Sequence, residues 1–585
     1  MDRRQLLHGG AVMLGGPMLA GCPRRPSVPD PPAARISGLV DIHCHVFNGS
    51  DIPAVRFIKI VALEHYPRQA AKLDIDDPDA LDGLVALLTA ILGRTRAPSA
   101  TEEIALLRGA SALRLASAST PQNEAEIIRA VEEFHAAAAM RADGGPSPAA
   151  PGAPPLSPRA ARAITDAVRD AAANSGIPVP AAPFPGATPA SDAEKAYRSN
   201  SDLGRYLRWF GLFTKYRHVL ADDLVVSHRR QGFEPLLLCP AAVDFDFWLG
   251  EYVRGSPLPD QVDVMGALSR RASGSPVHGY VGFDPLRQAY FAEGKFTDYD
   301  PLGLVRRAIR DEGFVGVKLY PPMGFRPAEN EKAKCQTYHE RVVDALAPGA
   351  LRDPDCRPDS GRGSRDVGRK LDTALAALFD LCVAEDACVL AHANQSNDGG
   401  PGYARRADPA FWLPVLRNPR WRTLRVALAH FGHFSKRSDA APDGALDAET
   451  SWEWTLGRYL REAGAPPLFA DVSFMTEIFG KSPSDIAYHL ATFRRWISAY
   501  DPECRHLMFG TDWTMLGADA SFETYTGGVY EFFKSSLGFD QPRLDRLFFG
   551  NAARFLGLRA GDGARARLLR YYAKHNLPAS RLPVL

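Results

Sequence analysis

The chain has 585 residues, with 69 Lys and Arg against 68 Asp and Glu, 45% hydrophobic and 23% charged residues, a balance that excludes disorder as the main state. Its formal net charge is +1, and no basic block is interleaved with aromatics, so nucleic acid is not an expected partner. The length fits several domains or one barrel carrying insertions, and the motifs must decide.

Met1 to Cys22 reads MDRRQLLHGGAVMLGGPMLAGC: an arginine pair, a short apolar run, then Leu-Ala-Gly-Cys. The run is too short to cross a bilayer as a stable helix and has the layout of a cleaved export signal. It resembles a bacterial lipoprotein signal, which implies a mature chain beginning at a lipidated Cys22; Arg3 and Arg4 also resemble the twin-arginine motif. Residues 23–38 form a Pro-rich tether. The expectation is an extracytoplasmic lipoprotein of the cell envelope, held to a membrane by its lipid, in the outer membrane if the host has two. A plain secretory signal with unmodified Cys22, or a buried helix of a cytosolic protein, would use the same residues. Eight cysteines in so long a chain do not make a disulfide scaffold. Cys239, Cys382 and Cys388 sit in apolar runs and read as core residues; whether Cys335 and Cys356 pair stays open.

Eight short apolar runs read as buried strands: Leu39 to Asn48, Pro235 to Val243, Gly279 to Leu286, Gly313 to Pro321, Ala387 to Asn394, Leu424 to Phe431, Pro467 to Phe474 and His506 to Trp513. Helical patterns precede three of them, at Pro301 to Asp311, Leu371 to Glu385 and Ser484 to Tyr500. Alternating strands and helices fit a (β/α)₈ barrel, and equally a doubly wound open sheet. Residues 50–234 are a long insertion after the first strand, with helices expected at Asp79 to Leu92, Ala125 to Met140 and Leu203 to Leu220. Within it, Asp143 to Asp192 is rich in Ala, Pro and Gly and is expected to be partly mobile. Residues 328–370 are a second insertion, after the fourth strand.

The chemistry gathers at strand ends. Val40-Asp41-Ile42-His43-Cys44-His45 closes the first strand, and side chains two apart share a face, so His43 and His45 project together as half of a site for a metal such as Zn²⁺. Alone such a pair is weak. The fifth run, however, ends in Ala391-His392-Ala393-Asn394, the sixth in Ala429-His430-Phe431-Gly432-His433 and the eighth in Gly510-Thr511-Asp512-Trp513. Polar groups there are costly to bury unless paired or coordinated. Lys318 in the fourth run fits the same pattern if a carboxylate neutralises it or if it is carbamylated.

In DIHCHVF, GFVGVKLYPP, LAHAN, ALAHFGHF, FGTDW and FFGNAARFLGL, the chain resembles the amidohydrolase superfamily, most closely its amidohydrolase-related branch of hydrolases, lactonases and decarboxylases. The resemblance implies an α/β fold, a distorted (β/α)₈ TIM barrel spanning 39–585, with a divalent metal at the carboxyl ends of its strands. It implies His43, His45, His392 and Asp512 as ligands of one ion, most readily Zn²⁺, with Lys318 and His430 joining them if there are two. Asp512 would handle the proton of the attacking water, and His430 would polarise the carbonyl. Lys318, if not carbamylated, or Arg326, after the fourth strand, is a candidate for a substrate carboxylate. His433 has no family counterpart. The expected function is hydrolysis of an amide, lactone or ester in a small-molecule substrate. Decarboxylation of an unsaturated or aromatic acid is the alternative, and a non-catalytic exported binding lipoprotein a further one. The substrate, the oligomeric state and the role of residues 50–234 are not legible.

Overall fold

A computed structural model describes residues 38–57, 78–109, 121–146, 155–175, 190–253, 255–332, 342, 345, 365–394, 404–431, 452–462, 464, 466, 468–479 and 482–583. The export segment with Cys22, the tether, Cys335, Cys356 and His433 lie outside the described residues.

All eight expected strands form: β1 Leu39–Cys44, β2 Pro235–Pro240, β3 Tyr280–Gly282, β4 Gly316–Leu319, β5 Cys388–His392, β6 Val426–Ala429, β7 Leu468–Asp471 and β8 Leu507–Met508. Only Leu236 in them is not fully buried, which is why they read as apolar runs rather than alternating patterns. β1 pairs with β2, and β3 to β8 form a six-stranded sheet in chain order, all in parallel. The chain is thus a mixed α/β protein with parallel sheets. Backbone contacts continue past both sheet edges. Leu238 and Ala241 bridge to Val277 and Tyr280. At the other edge Ile42 N donates to Phe509 O at 3.2 Å, and Thr511 N and Asp512 N both donate to His43 O, at 3.0 and 2.7 Å.

Helices Pro301–Asp311, Arg365–Ala384 and Pro483–Tyr500 precede β4, β5 and β8. Between β1 and β2 the helices expected near Asp79 and Ala125 run Pro78–Arg94 and Pro121–Ala142. The third, expected as one helix from Leu203 to Leu220, is two: Asp202–Leu212 and Arg217–Arg230. The break has a cause outside the stripe. Glu103, from another helix, accepts Arg217 N at 2.9 Å and His218 N at 2.7 Å, capping a new helix there. Asp51 and Glu103 also pair with the buried Arg217 guanidinium.

The Ala-, Pro- and Gly-rich stretch holds a helix as well, Pro158–Ala173. Ser157 caps it by accepting from Ala160 N, and Ala160, Ala161, Ile164, Val168 and Ala171 are buried. Its small residues permit close packing: a Cβ built on Gly83 would lie 2.9 Å from Ala160 O. A low count of large apolar residues hid a contact made by small ones.

One apolar cluster draws alternate residues from the strands, among them Val40 and Ile42, Leu237 and Cys239, Cys388 and Leu390, with Phe555, Leu568 and Tyr572 from the last helices beneath. Asp471 and His392 continue the alternation of Phe469 and Leu390 toward the strand ends. On β1 strict alternation would turn His43 away from Ile42, but the register shifts between Asp41 and Cys44. Cys44 then packs in the other cluster, leaving His43 and His45 on the side of Asp471 and His392.

Beneath this cluster His278 is fully buried, its Nδ1 donating to Gly313 O at 2.7 Å and its Nε2 accepting from the Tyr572 hydroxyl at 2.9 Å. Burial, aided by Arg581 and Arg567 and opposed by the Gly313 bond, pulls its pKa down to about 4. The unfolded chain takes up this proton near pH ~6.5 and the folded one does not, so stability falls as pH drops from about 6.5 toward 4. The contribution is about 3 kcal/mol at the acid end. Urea titrations at pH 7 and 4.5 should find His278→Gln losing less stability over that interval than the wild type; equal losses would contradict the assignment.

Candidate metal centre

His43, His45, Lys318, His392, His430 and Asp512 all line one cavity of about 90 Å³. They come from the ends of β1, β4, β5, β6 and β8, which are adjacent in space though up to hundreds of residues apart in sequence.

Three imidazoles are fixed in the same sense. His45 Nδ1 lies 2.9 Å from Ala241 O and His430 Nδ1 3.1 Å from Ser473 O. A carbonyl only accepts, so each Nδ1 carries a proton and each Nε2 is turned into the cavity. His43 Nδ1 faces Ser473 Oγ at 2.9 Å and Asp471 Oδ2 at 3.3 Å, while its Nε2 accepts from Lys318 Nζ at 2.7 Å. His392 differs: its Nε2 turns to Asn394 O at 3.1 Å. Asp512 stands among these rings, with Oδ1 3.1 Å from His45 Nε2 and 3.6 Å from His43 Nε2. Ligand atoms of His43, His430 and Asp512 lie within 4.8 Å of one another, and all three residues are buried.

Burial chiefly, with the Lys318 charge, pushes His43 down to about 3 against the pull of Asp471. Burial also lowers His392 and His430, so the rings are held neutral, as ligands must be. Burial alone would raise Asp512, but the imidazoles beside it, His45 foremost with His43 and His430, hold it well below the usual carboxylate range. Lys318 is pulled down to about 8, mainly by burial.

The backbone is strained where these side chains are presented. His430, Phe431, Phe474 and Asp512 have φ of 70°, 43°, 50° and 57°, a region few non-glycine residues adopt. Hydrogen bonds hold them there: Asp471 Oδ1 accepts His430 N at 3.0 Å, and His43 O accepts Asp512 N. Behind β1, Asp41 accepts from Thr511 N and Oγ1 at 3.1 and 2.6 Å, and His228 Nε2 lies 3.3 Å away. Gly510 must lack a side chain, since a Cβ would sit 3.0 Å from His43 Cβ.

The rings around the cavity form a closed circuit. His43, His45, His430 and His392 make one half, with centroids 5.5, 4.9 and 4.6 Å apart along the chain of contacts. From His45 the circuit runs through Phe47, Phe57, Phe245 and Tyr320 at 5.4, 5.9, 6.0 and 5.2 Å, and Tyr320 returns to His392 at 4.6 Å. One side of the cavity therefore offers nitrogen ligands and the other apolar ring surface.

Arg326 is not among the described residues that line the cavity; its guanidinium lies over the Phe411 ring, 4.1 Å from the centroid. Sequence reasoning missed Asp471 and Ser473, which orient two of the rings, although an Asp closing an apolar strand is the signal used for Asp512. It also missed Asp244, just beyond β2, which lines the cavity.

No family model matches the chain, and no curated protein matches it. Similar solved structures are amidohydrolase- or metal-dependent-hydrolase-type proteins at low identity. A Pseudomonas putida protein named as a 2-pyrone-4,6-dicarboxylic acid hydrolase is 15% identical over 57% of this chain and 86% of that one, with a TM-score of 0.30. A Burkholderia multivorans amidohydrolase with bound HEPES is 14% identical over 60% and 91%, with a TM-score of 0.34. A Lactobacillus casei protein named as a metal-dependent hydrolase is 13% identical over 92% and 98%, with a TM-score of 0.37. Likenesses this distant assign no activity, which must be argued from the side chains.

Proposed function

We propose that the chain is a metal-dependent hydrolase in which activated water attacks the carbonyl of a small amide, lactone or ester. The observation that carries this reading is the set of buried imidazoles around Asp512, three with Nδ1 tied to an oxygen and Nε2 turned into the cavity, where His43 Nε2 meets Lys318 and His45 Nε2 meets Asp512. The fold we propose is a distorted (β/α)₈ barrel with insertions at 50–234 and 328–370. Its support is the run of backbone contacts from β8 to β1 and from β2 to β3, across both sheet edges.

The donor set suits a divalent ion, Zn²⁺ foremost, with His43, His45, His430 and Asp512 best placed to hold it and His392 beside them. Such an ion supplies Lewis acidity and acidifies a water at neutral pH. Asp512, which its imidazole neighbours keep ionised, would take the proton of the attacking water and return it to the leaving group. His430 spends its proton on Ser473 O, so it offers a lone pair rather than the polarising N–H expected of it. Phe47, Phe57, Phe245 and Tyr320 exclude water from the substrate body.

One ion per chain is the favoured count. The position of Lys318, 2.7 Å from His43 Nε2 and with its pKa near 8, supports a second reading in which its carbamate bridges two ions. Two ions per chain, with one lost in Lys318→Ala, would establish that reading over ours. Decarboxylation would use the same centre and is separated by assaying CO₂ release alongside hydrolysis.

The test is metal analysis of purified protein followed by a panel of lactones, esters, amides and carboxylic acids. We expect bound divalent metal, hydrolysis lost on chelation and hydrolysis restored by Zn²⁺. Hydrolysis indifferent to chelation would overturn the proposal. The envelope location is a separate proposal resting on the Cys22 signal alone, tested by fractionating a Cys22→Ala variant.

A further inference from the structure

The cavity side away from the histidines carries a substrate preference of its own. Asp244 lines it, and both of its carboxylate oxygens accept from Arg287, one from Nε at 3.1 Å. Arg287 does not reach the cavity. It is also paired with Asp246 at 2.8 Å and lies over Phe247, 4.2 Å from the ring centroid. Two buried carboxylates thus share one guanidinium that is wholly engaged behind them; burial and the charges of Asp246 and Asp284 push Asp244 up to about 8 against the pull of Arg287, so this wall takes up a positive charge more readily than a further negative one.

Among the described residues that line the cavity no arginine is found, and the single lysine, Lys318, is engaged with His43. Recognition of a carboxylate characteristically uses a guanidinium fork. A carboxylate beside Asp244 would instead add a further negative charge to a poorly solvated place that already resists one. A donor group would find an acceptor beside aromatic faces, and a cation would gain from those faces as well.

We infer that the substrate is an amide or ester whose apolar body packs on Phe47, Phe57, Phe245 and Tyr320, and whose far end presents a hydrogen-bond donor, best a protonated amine, to Asp244. A carboxylate at that end is disfavoured. This inference rests on the hydrolytic reading of the centre.

The test uses zinc-loaded full-length protein and three para-substituted acetanilides bearing aminomethyl, methyl or carboxylate groups, each rate normalised to its uncatalysed hydrolysis. The aminomethyl compound should exceed the carboxylate in kcat/KM by at least tenfold, with the methyl compound between them. In Asp244→Asn that ratio should shrink at least tenfold. Asp246→Asn removes the other partner of Arg287 without altering the cavity wall, and should keep the ratio, which separates recognition from damage to the ion pair. A carboxylate compound turned over as well as the aminomethyl one overturns the inference. Absence of hydrolysis for all three counts against the hydrolytic reading instead, and calorimetric binding of the same compounds then decides the preference: carboxylate binding as tight as aminomethyl overturns it.

Discussion

Asp512→Asn is expected to lower kcat by roughly 10²–10⁴-fold, the usual worth of a positioned acid–base group. The side chain stands 3.1 Å from His45 Nε2 and 3.6 Å from His43 Nε2, with its carboxyl held ionised by those neighbours against the effect of burial. Asparagine keeps the shape and one oxygen ligand but cannot take a proton. Metal retention should therefore fall less steeply than turnover. Steady-state kinetics beside metal content measure both, and a kcat within tenfold of wild type would remove Asp512 from the proton path.

Asp471→Asn should have the next largest effect, weakening metal affinity by about 10–100-fold, the range seen when a group that orients a metal-binding histidine is lost. Asp471 Oδ1 accepts from His430 N and Ser473 N at 3.0 Å each, and Oδ2 lies 3.3 Å from His43 Nδ1. One carboxylate thus sets the His43 tautomer and holds the strained turn at His430. Burial would raise its pKa, but His43 and His430 keep it well below the usual range. An amide can satisfy the backbone donors or the imidazole, not all of them as an anion does. Competition against a chelator of known affinity reads the change; unchanged affinity would make Asp471 a packing residue only.

The strands were legible because parallel strands buried on both faces are written as short apolar runs, and His43, His45, His392, His430, Lys318 and Asp512 stood out as polar groups where such runs end. What could not be read depends on contacts distant in sequence. Nothing near Cys44 signals the register shift that turns His43 inward, because it is set by pairing with β2. The break before Arg217 comes from Glu103, more than a hundred residues earlier. Asp471 and Ser473 look ordinary in Ala-Asp-Val-Ser-Phe until β6 and β1 are placed beside β7. The aromatic half of the cavity takes Phe57 from the chain after β1, Phe245 from that after β2 and Tyr320 from the end of β4, so no local pattern contains it.

The central claim is that a metal ion sits among the histidines and Asp512, and crystals of the zinc-loaded protein measured at the zinc absorption edge test it most directly. The account predicts one strong anomalous peak in the cavity, about 2.0–2.2 Å from nitrogen or oxygen atoms of His43 and Asp512 and of at least one of His45, His392 and His430. An anomalous map with no peak at that position, in crystals whose protein retains hydrolytic activity, would contradict it.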